Sequence, residues 1–304
     1  MAAIFLHFNG NSSFLSLSRT HLRRSPLCHK PMKVSMSQNQ SYWASVNAEV
    51  DDHLARAIPV RPPLSVFEPM HHLVFAAPRT MAPALCIAAC ELVGGQRQQA
   101  VAAASALHLM HAASYTHEHL PLSDRPRPGP TTHHAFDANI ELLTGDGIFP
   151  FGYELLASLD DPSGNNSERV LRVIIEVTRA MGSQGMVDGQ YLQLNCSESD
   201  SDGSFHVGSR NRVREKKVGG LYACGAACGA ILGGGSEEEI EKLRRYGLYA
   251  GITREMLNGV GREENGFLEM VQGFRSLALK ELKDFSDGKV NTISTLVDAS
   301  FCYV

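Results

Sequence analysis

The residues most able to do chemistry sit in the stretch YTHEHLPLSD, Tyr115–Asp124. Glu118 and Asp124 flank a proline at the end of an apolar, helix-like run. Two carboxylates so placed could hold a hard divalent cation, which prefers oxygen ligands. His119 stands where a second, adjacent carboxylate would serve best, and imidazole suits softer metals. The stretch is therefore a metal site, a broken one, or neither. His117, His133 and His134 surround the same proline-rich loop, and loop histidines are ordinarily just solvated. Glu255 is a carboxylate far along the chain, beside the cationic Arg254.

Two cysteine pairs share one spacing: CIAAC, Cys86 to Cys90, and CGAAC, Cys224 to Cys228. On a helix, positions four apart share a face. Cysteine is a small buried hydrophobe suited to close helix packing. A four-thiolate zinc site would need all four sulfurs at one tetrahedral point, and no supporting signal accompanies the pairs. A redox switch is a further reading. Seven cysteines in a chain of 304 residues do not describe a disulfide scaffold.

These groups must be positioned by helices. Tyr42–Ile58, PALCIAACELVGG, Gln96–Thr116, Ile140–Leu159, Ser167–Met181 and the run after Gly185 carry apolar residues at three- and four-residue spacing. So do Lys217–Leu232, Ser236–Leu257, Gly266–Asp284 and Val290–Cys302. Ser236 with Glu239 fits a capping box, and the glycines at 233–235 stop the preceding helix. Ser123–Thr132 holds three prolines, with Pro121 just before it, and predicts a loop. The polar residues from 195 to about 215 predict a flexible loop. No alternating strand pattern of useful length occurs. The chain reads as all-α, one helical-bundle domain over 41–304 with about ten helices.

A net charge of −4, from 28 basic and 32 acidic side chains, gives no nucleic-acid surface. No run of 18 apolar residues suggests a membrane span. The first 48 residues contain no acid, nine serines and five Lys or Arg, which marks roughly residues 1–40 as an organelle transit segment outside the fold.

PALCIAACELVGG, HLMHAASYTHEHLP, LLTGDGIFPFGYELLA, GSQGMVDGQ, GAILGGG and EIEKLRRYG together resemble plant short-chain trans-prenyl diphosphate synthases, the geranylgeranyl diphosphate synthase group. The likeness runs from about Tyr42 to the C terminus, in order. It implies an isoprenoid synthase bundle around a central cavity, with Mg²⁺ held by two aspartate-rich motifs on facing helices. Here the first motif is degraded to Glu118, His119 and Asp124, and the second to Glu255. The implied homoallylic diphosphate site keeps Arg79, while Thr80 and Ala82 replace two guanidiniums. Each lost charge-assisted contact is worth about 1.5–3 kcal/mol. His111, Lys217 and Gln190 match family substrate positions; Gln193 stands for an Asp and Val218 for a Thr. Asp146 matches a family position on a central helix.

Scaffold segments persist while three polar sites are eroded. That pattern is similar to the small subunit of heterodimeric geranyl diphosphate synthases, which has both CxxxC motifs and lacks the aspartate-rich ones. The resemblance implies a plastid protein, inactive alone, that binds no Mg²⁺ itself. It would join a catalytic large subunit that carries the metal and steer it to geranyl diphosphate. Cys86, Cys90, Cys224 and Cys228 would bear on the subunit interface. Open alternatives are a small subunit that enhances geranylgeranyl diphosphate output, a weak autonomous prenyltransferase using Glu118, Asp124 and Glu255, and a metal-responsive binding module.

Overall fold

In the computed structural model of the chain, residues 38–120, 135–159, 166–199, 207–258, 266–285 and 288–298 are described. Twelve α-helices account for most of them, and no strand occurs among the described residues. In chain order they are α1 (Gln38–Ala57), α2 (Leu64–Ala76), α3 (Ala82–Leu92), α4 (Gln98–His119), α5 (Ala138–Ala157) and α6 (Ser167–Met181). There follow α7 (Met186–Ser199), α8 (Val207–Arg214), α9 (Gly220–Gly233), α10 (Glu237–Asn258), α11 (Phe267–Glu281) and α12 (Val290–Ser294). A π-helical turn, Glu215–Gly219, joins α8 to α9. The all-α class expected from the periodicity is the observed one.

α9 is the hub. It packs on α3, α4, α6 and α10. Gly225, Gly229 and Gly233 recur every fourth residue and so lie on one face of it. A Cβ at each would fall 2.6 Å from Ala82 O, 1.9 Å from Cys86 O and 2.6 Å from Cys90 O. Those three α3 carbonyls are also four residues apart, so two helical repeats run in register with their backbones touching. α10 approaches from another side in the same way. A Cβ on Gly247 would lie 2.4 Å from Tyr222 O, and one on Gly251 2.9 Å from Val218 O. Gly234, at φ 82°, ends α9 in the left-handed conformation that glycine adopts without strain.

α4 runs through the core, with fifteen of its residues buried, most of them alanine, leucine or small polar residues. α5 lays Glu141, Gly145, Ile148, Gly152 and Leu156 along its inner face. Gly152 makes room for Met110 of α4, and Gly145 for His117. α10 opens on the expected capping box: Ser236 N donates to Glu239 Oε2 at 2.7 Å, and Glu239 N donates to Ser236 Oγ at 3.3 Å. Its outer face ties its neighbours by ion pairs, Arg244 to Glu176 of α6 and Arg245 to Glu281 of α11.

Three elements differ from the sequence pattern. α2 forms although Pro69 lies inside it. Proline there removes a single backbone bond in the second turn, and burial of Met70, Leu73 and Val74 against the core offsets the loss. Asn195–Asn211, whose composition predicts a loop, is helical at both ends, since α7 reaches Ser199 and α8 begins at Val207. The C-terminal helix, expected to reach Cys302, ends at Ser294. A 3₁₀ turn, Thr295–Val297, follows it, and Asp298 is extended with its carboxylate 2.8 Å from Arg275 Nη2. The proline-rich loop Ser123–Thr132 lies outside the described residues, as do the first 37.

Replacing Gly229 by Ala should cost more than about 3 kcal/mol or abolish folding, because the two backbones must separate. Gly273→Ala, on an exposed turn of α11 with nothing within 4 Å of the new methyl, should instead stabilise by about 0.5–1 kcal/mol. Denaturant unfolding of both variants measures the contrast.

Candidate functional site

The end of α4, α7 and the π-helical turn converge on one ion pair. Lys217 Nζ lies 2.5 Å from Glu118 Oε1, and both side chains are mostly covered. Gln193 closes the triangle, donating from Nε2 to Glu118 Oε1 at 3.1 Å and accepting at Oε1 from Lys217 Nζ at 2.7 Å. Gln190 donates to Ser114 O at 3.2 Å from the same face of α7. Burial pushes the Glu118 carboxyl up, but the Lys217 charge and hydrogen bond outweigh it and hold the group below the usual carboxylate range. The π turn matters because its wider winding re-aims successive side chains. Lys216 and Lys217 diverge there: Lys216 reaches Asp188 at 3.1 Å and the Gln184 carbonyl at 2.8 Å.

Beside the pair lies a half-open cavity of about 470 Å³ bounded by α1, α3, α4, α9 and α10. Arg79, Thr80, His111, Tyr222, Arg254 and Glu255 are on its wall. Arg79 sits at the rim, ion-paired to Asp51 and over the Phe75 ring. Burial holds His108 and His111 down to about 4, so both rings are neutral near pH 7. His108 Nε2 is 2.9 Å from Val74 O. Met81 N donates to Tyr222 Oη at 3.0 Å across the cavity wall.

The residues singled out in the sequence thus divide into two groups. Arg79, His111 and Glu255 share the cavity, while Lys217, Gln190 and Glu118 meet around the ion pair. Asp124, His133 and His134 lie outside the described residues. His119 turns back along its own helix, with Nδ1 2.8 Å from Tyr115 O and its ring stacked on Tyr115 at 4.0 Å. His117 faces Asp146 of α5 at 3.4 Å. Cys86, Cys90, Cys224 and Cys228 are buried within the chain. Cys224 and Cys228 sulfurs are 3.8 Å apart, and burial raises the thiols of Cys86 and Cys90. Cys90 Sγ lies 3.4 Å from Gln96 O, in the turn that follows α3. The sequence signal missed Tyr222 and treated Arg254 only as a neighbour of Glu255.

Mg²⁺ requires near-octahedral oxygen ligands at about 2.0–2.1 Å. Glu118, the described carboxylate of the first degraded motif, already accepts from an ammonium and an amide. Glu255 stands next to a guanidinium. No group of three or more His, Cys, Asp or Glu with metal-binding proximity occurs among the described residues. The described donors do not fit magnesium.

Residues 64–254 match the polyprenyl synthetase family model. The heterodimeric geranylgeranyl pyrophosphate synthase small subunit 2, chloroplastic, of Cannabis sativa is 49% identical over 280 residues, spanning 88% of this chain and 97% of its own. The crystal structure of the geranyl diphosphate synthase small subunit from Antirrhinum majus superposes with a TM-score of 0.79 at 52% identity, over 86% of this chain and 99% of that one. A mint deletion mutant of heterotetrameric geranyl pyrophosphate synthase gives a TM-score of 0.73 at 48% identity, over 85% and 99%.

Breaking the internal ion pair tests its weight. Lys217→Met strands a covered carboxylate and should cost about 3 kcal/mol in denaturant unfolding, and adding Glu118→Leu should recover most of that loss. Because the folded Glu118 carboxyl is depressed, its contribution is complete above the unfolded glutamate value of about 4.3 and is lost as pH falls through the lower folded value. Unfolding of the wild type should therefore weaken more steeply between about pH 5 and about pH 3 than that of Glu118→Gln.

Proposed function

The chain belongs to the polyprenyl synthetase family, and we propose that within it the protein is a non-catalytic regulatory subunit. It joins a catalytic, geranylgeranyl diphosphate synthase-like large subunit in the plastid and directs that partner toward geranyl diphosphate, the C10 precursor of monoterpenes. The observation that carries the reading is the Glu118–Lys217 pair. A carboxylate placed where the family resemblance puts a metal ligand is neutralised by a side chain of the same molecule, so the fold has no need of a cation there. Magnesium, in this reading, belongs to the partner.

Support for a partner comes from the surface. α5 and α6 pack on one another, and each presents apolar side chains to solvent. Leu143 is 67% exposed, with Ile140 one turn away, and Leu171 and Ile175 lie four apart on α6. Clustered exposed leucine and isoleucine mark a protein interaction surface. The Cannabis and Arabidopsis relatives named as small subunits of heterodimeric synthases point the same way, and both are named chloroplastic. Among the described residues no helix is long and apolar enough to cross a membrane. The partner's product changes indirectly: docking reshapes its elongation cavity or speeds release of the ten-carbon product. A second reading is favoured by the name of the Cannabis relative, in which the subunit raises geranylgeranyl diphosphate output instead.

Mixing purified chain with a catalytic large subunit and analysing prenyl alcohols after dephosphorylation tests this directly. C10 product should rise by about tenfold relative to C20, while the chain alone gives no magnesium-dependent condensation. A rise confined to C20 selects the second reading, and an unchanged rate and product length overturns both. Leu143→Asp should abolish co-purification with the partner while leaving the chain's own unfolding midpoint within about 0.5 kcal/mol, because surface changes away from packed groups seldom cost more.

A further inference from the structure

On its exposed side α5 carries two residues that weaken a helix. Gly147 lies well inside it, and a Cβ built there would meet no atom within 4 Å. Glycine in a helix interior is less favourable than alanine, so it is kept where a side chain would obstruct something. The other two glycines inside α5 have that reason within the chain, since Gly145 makes room for His117 and Gly152 for Met110. Gly147 has no such neighbour. Pro150 is exposed as well. It has no N–H, so the Asp146 carbonyl four residues back lacks the donor that a helix would supply.

Both residues fall on an apolar line. Ile140, Leu143, Gly147 and Pro150 recur at steps of three and four residues and share one side of the helix. Beside Gly147, the Asp146 side chain is 62% exposed, and its cationic neighbour is His117 at 3.4 Å. The charged residues of α5 are Glu141, Asp146 and Glu154, with no Lys, Arg or His among them. α9 shows what open glycines on one helix face admit: the backbone of another helix, as Gly225, Gly229 and Gly233 admit α3. Gly273 of α11 is a contrasting case, because it too is open but has the polar Glu269 and Ser276 one turn away on either side.

We infer that α5 receives a helix of the catalytic large subunit in backbone contact at Gly147, and that this helix brings a lysine or arginine to the Asp146 carboxylate and carbonyl. The contact, which rests on the subunit reading, gives that reading a crossing point and a chemistry. Charge selects this occupant over a second copy of the chain. Two copies crossing α5 on α5 at Gly147 would set Asp146 against Asp146, and like charges so placed cost affinity. Neither α5 would offer the other a cation.

The experiment titrates the full chain into a purified catalytic large subunit at low and at high salt. It also follows each variant's unfolding midpoint and the sedimentation of the chain alone. Gly147→Ala should raise the midpoint, since alanine is the better helix former and its methyl meets nothing in this chain. The same variant should weaken docking at least about tenfold. Gly273→Ala should raise the midpoint too, and leave docking unchanged. Gly147→Leu should abolish docking. Asp146→Asn should weaken docking about tenfold at low salt and flatten its salt dependence. Wild-type docking that the Gly147 variants or Asp146→Asn leave intact overturns the inference alone. So does a lowered midpoint in Gly147→Ala, which would put the reason for the glycine inside the chain. Self-association that depends on Gly147, with docking to the large subunit unaffected, makes a second copy the occupant and overturns it as well. Absence of docking by the wild type removes the subunit reading and this contact with it. If Gly147→Leu does not fold, Gly147→Ala decides the matter.

Discussion

Direct contact between the backbones of α3 and α9 is the constraint on which the molecule is built. With Gly225, Gly229 and Gly233 meeting the carbonyls of Ala82, Cys86 and Cys90, the helices approach as closely as backbones allow. Little room remains for side chains between them, and the cysteines of both helices are small and buried. The same closeness places Tyr222 against the backbone of Met81 and brings α10 in behind, through Gly247 and Gly251. The cavity wall follows from that arrangement, because Tyr222 and Arg254 lie on α9 and α10 and Thr80 stands just before the start of α3.

Charge is arranged inside this frame with the same economy. Where a magnesium-dependent family would place paired carboxylates, α4 offers one glutamate and the π turn brings an ammonium to it. Gln193 contributes a neutral amide in place of a further acid, so the triangle of Lys217, Glu118 and Gln193 balances one positive with one negative charge. Nothing in that triangle requires a cation from solution. In the neighbouring cavity the balance is left open at Arg254. The two regions therefore differ: in one the charges are paired within the chain, and in the other Arg254 Nη1 has no hydrogen-bond partner among the described residues.

The all-α class, the capping box at Ser236, the stop at Gly234 and most helix spans were legible from periodicity and local punctuation, because those signals act within a few residues. α2 was not, since Pro69 argues against a helix and only burial against the core outweighs it. Nor were the ends of the polar stretch from 195 to 215, where α7 and α8 pack on one another and on the π-helical turn and sustain helix in a sequence without an apolar period. The loss of the paired aspartates that the resemblance implies at Glu118 and Glu255 was legible from residue type alone. What replaced it was not: Lys217 is 99 residues from Glu118, and the π turn that aims it leaves no mark in the sequence.

Sequence by itself determined the helical class, the family likeness and the absence of a full set of oxygen donors, all consequences of residue identity and short-range spacing. Only the tertiary structure decided that the four cysteines are buried inside the chain, that Glu118 is spoken for by Lys217, and that Arg254 is buried with a donor to spare. Those are facts about distance and desolvation between segments far apart in sequence. They exist only once the glycine faces of α9 and α10 have closed.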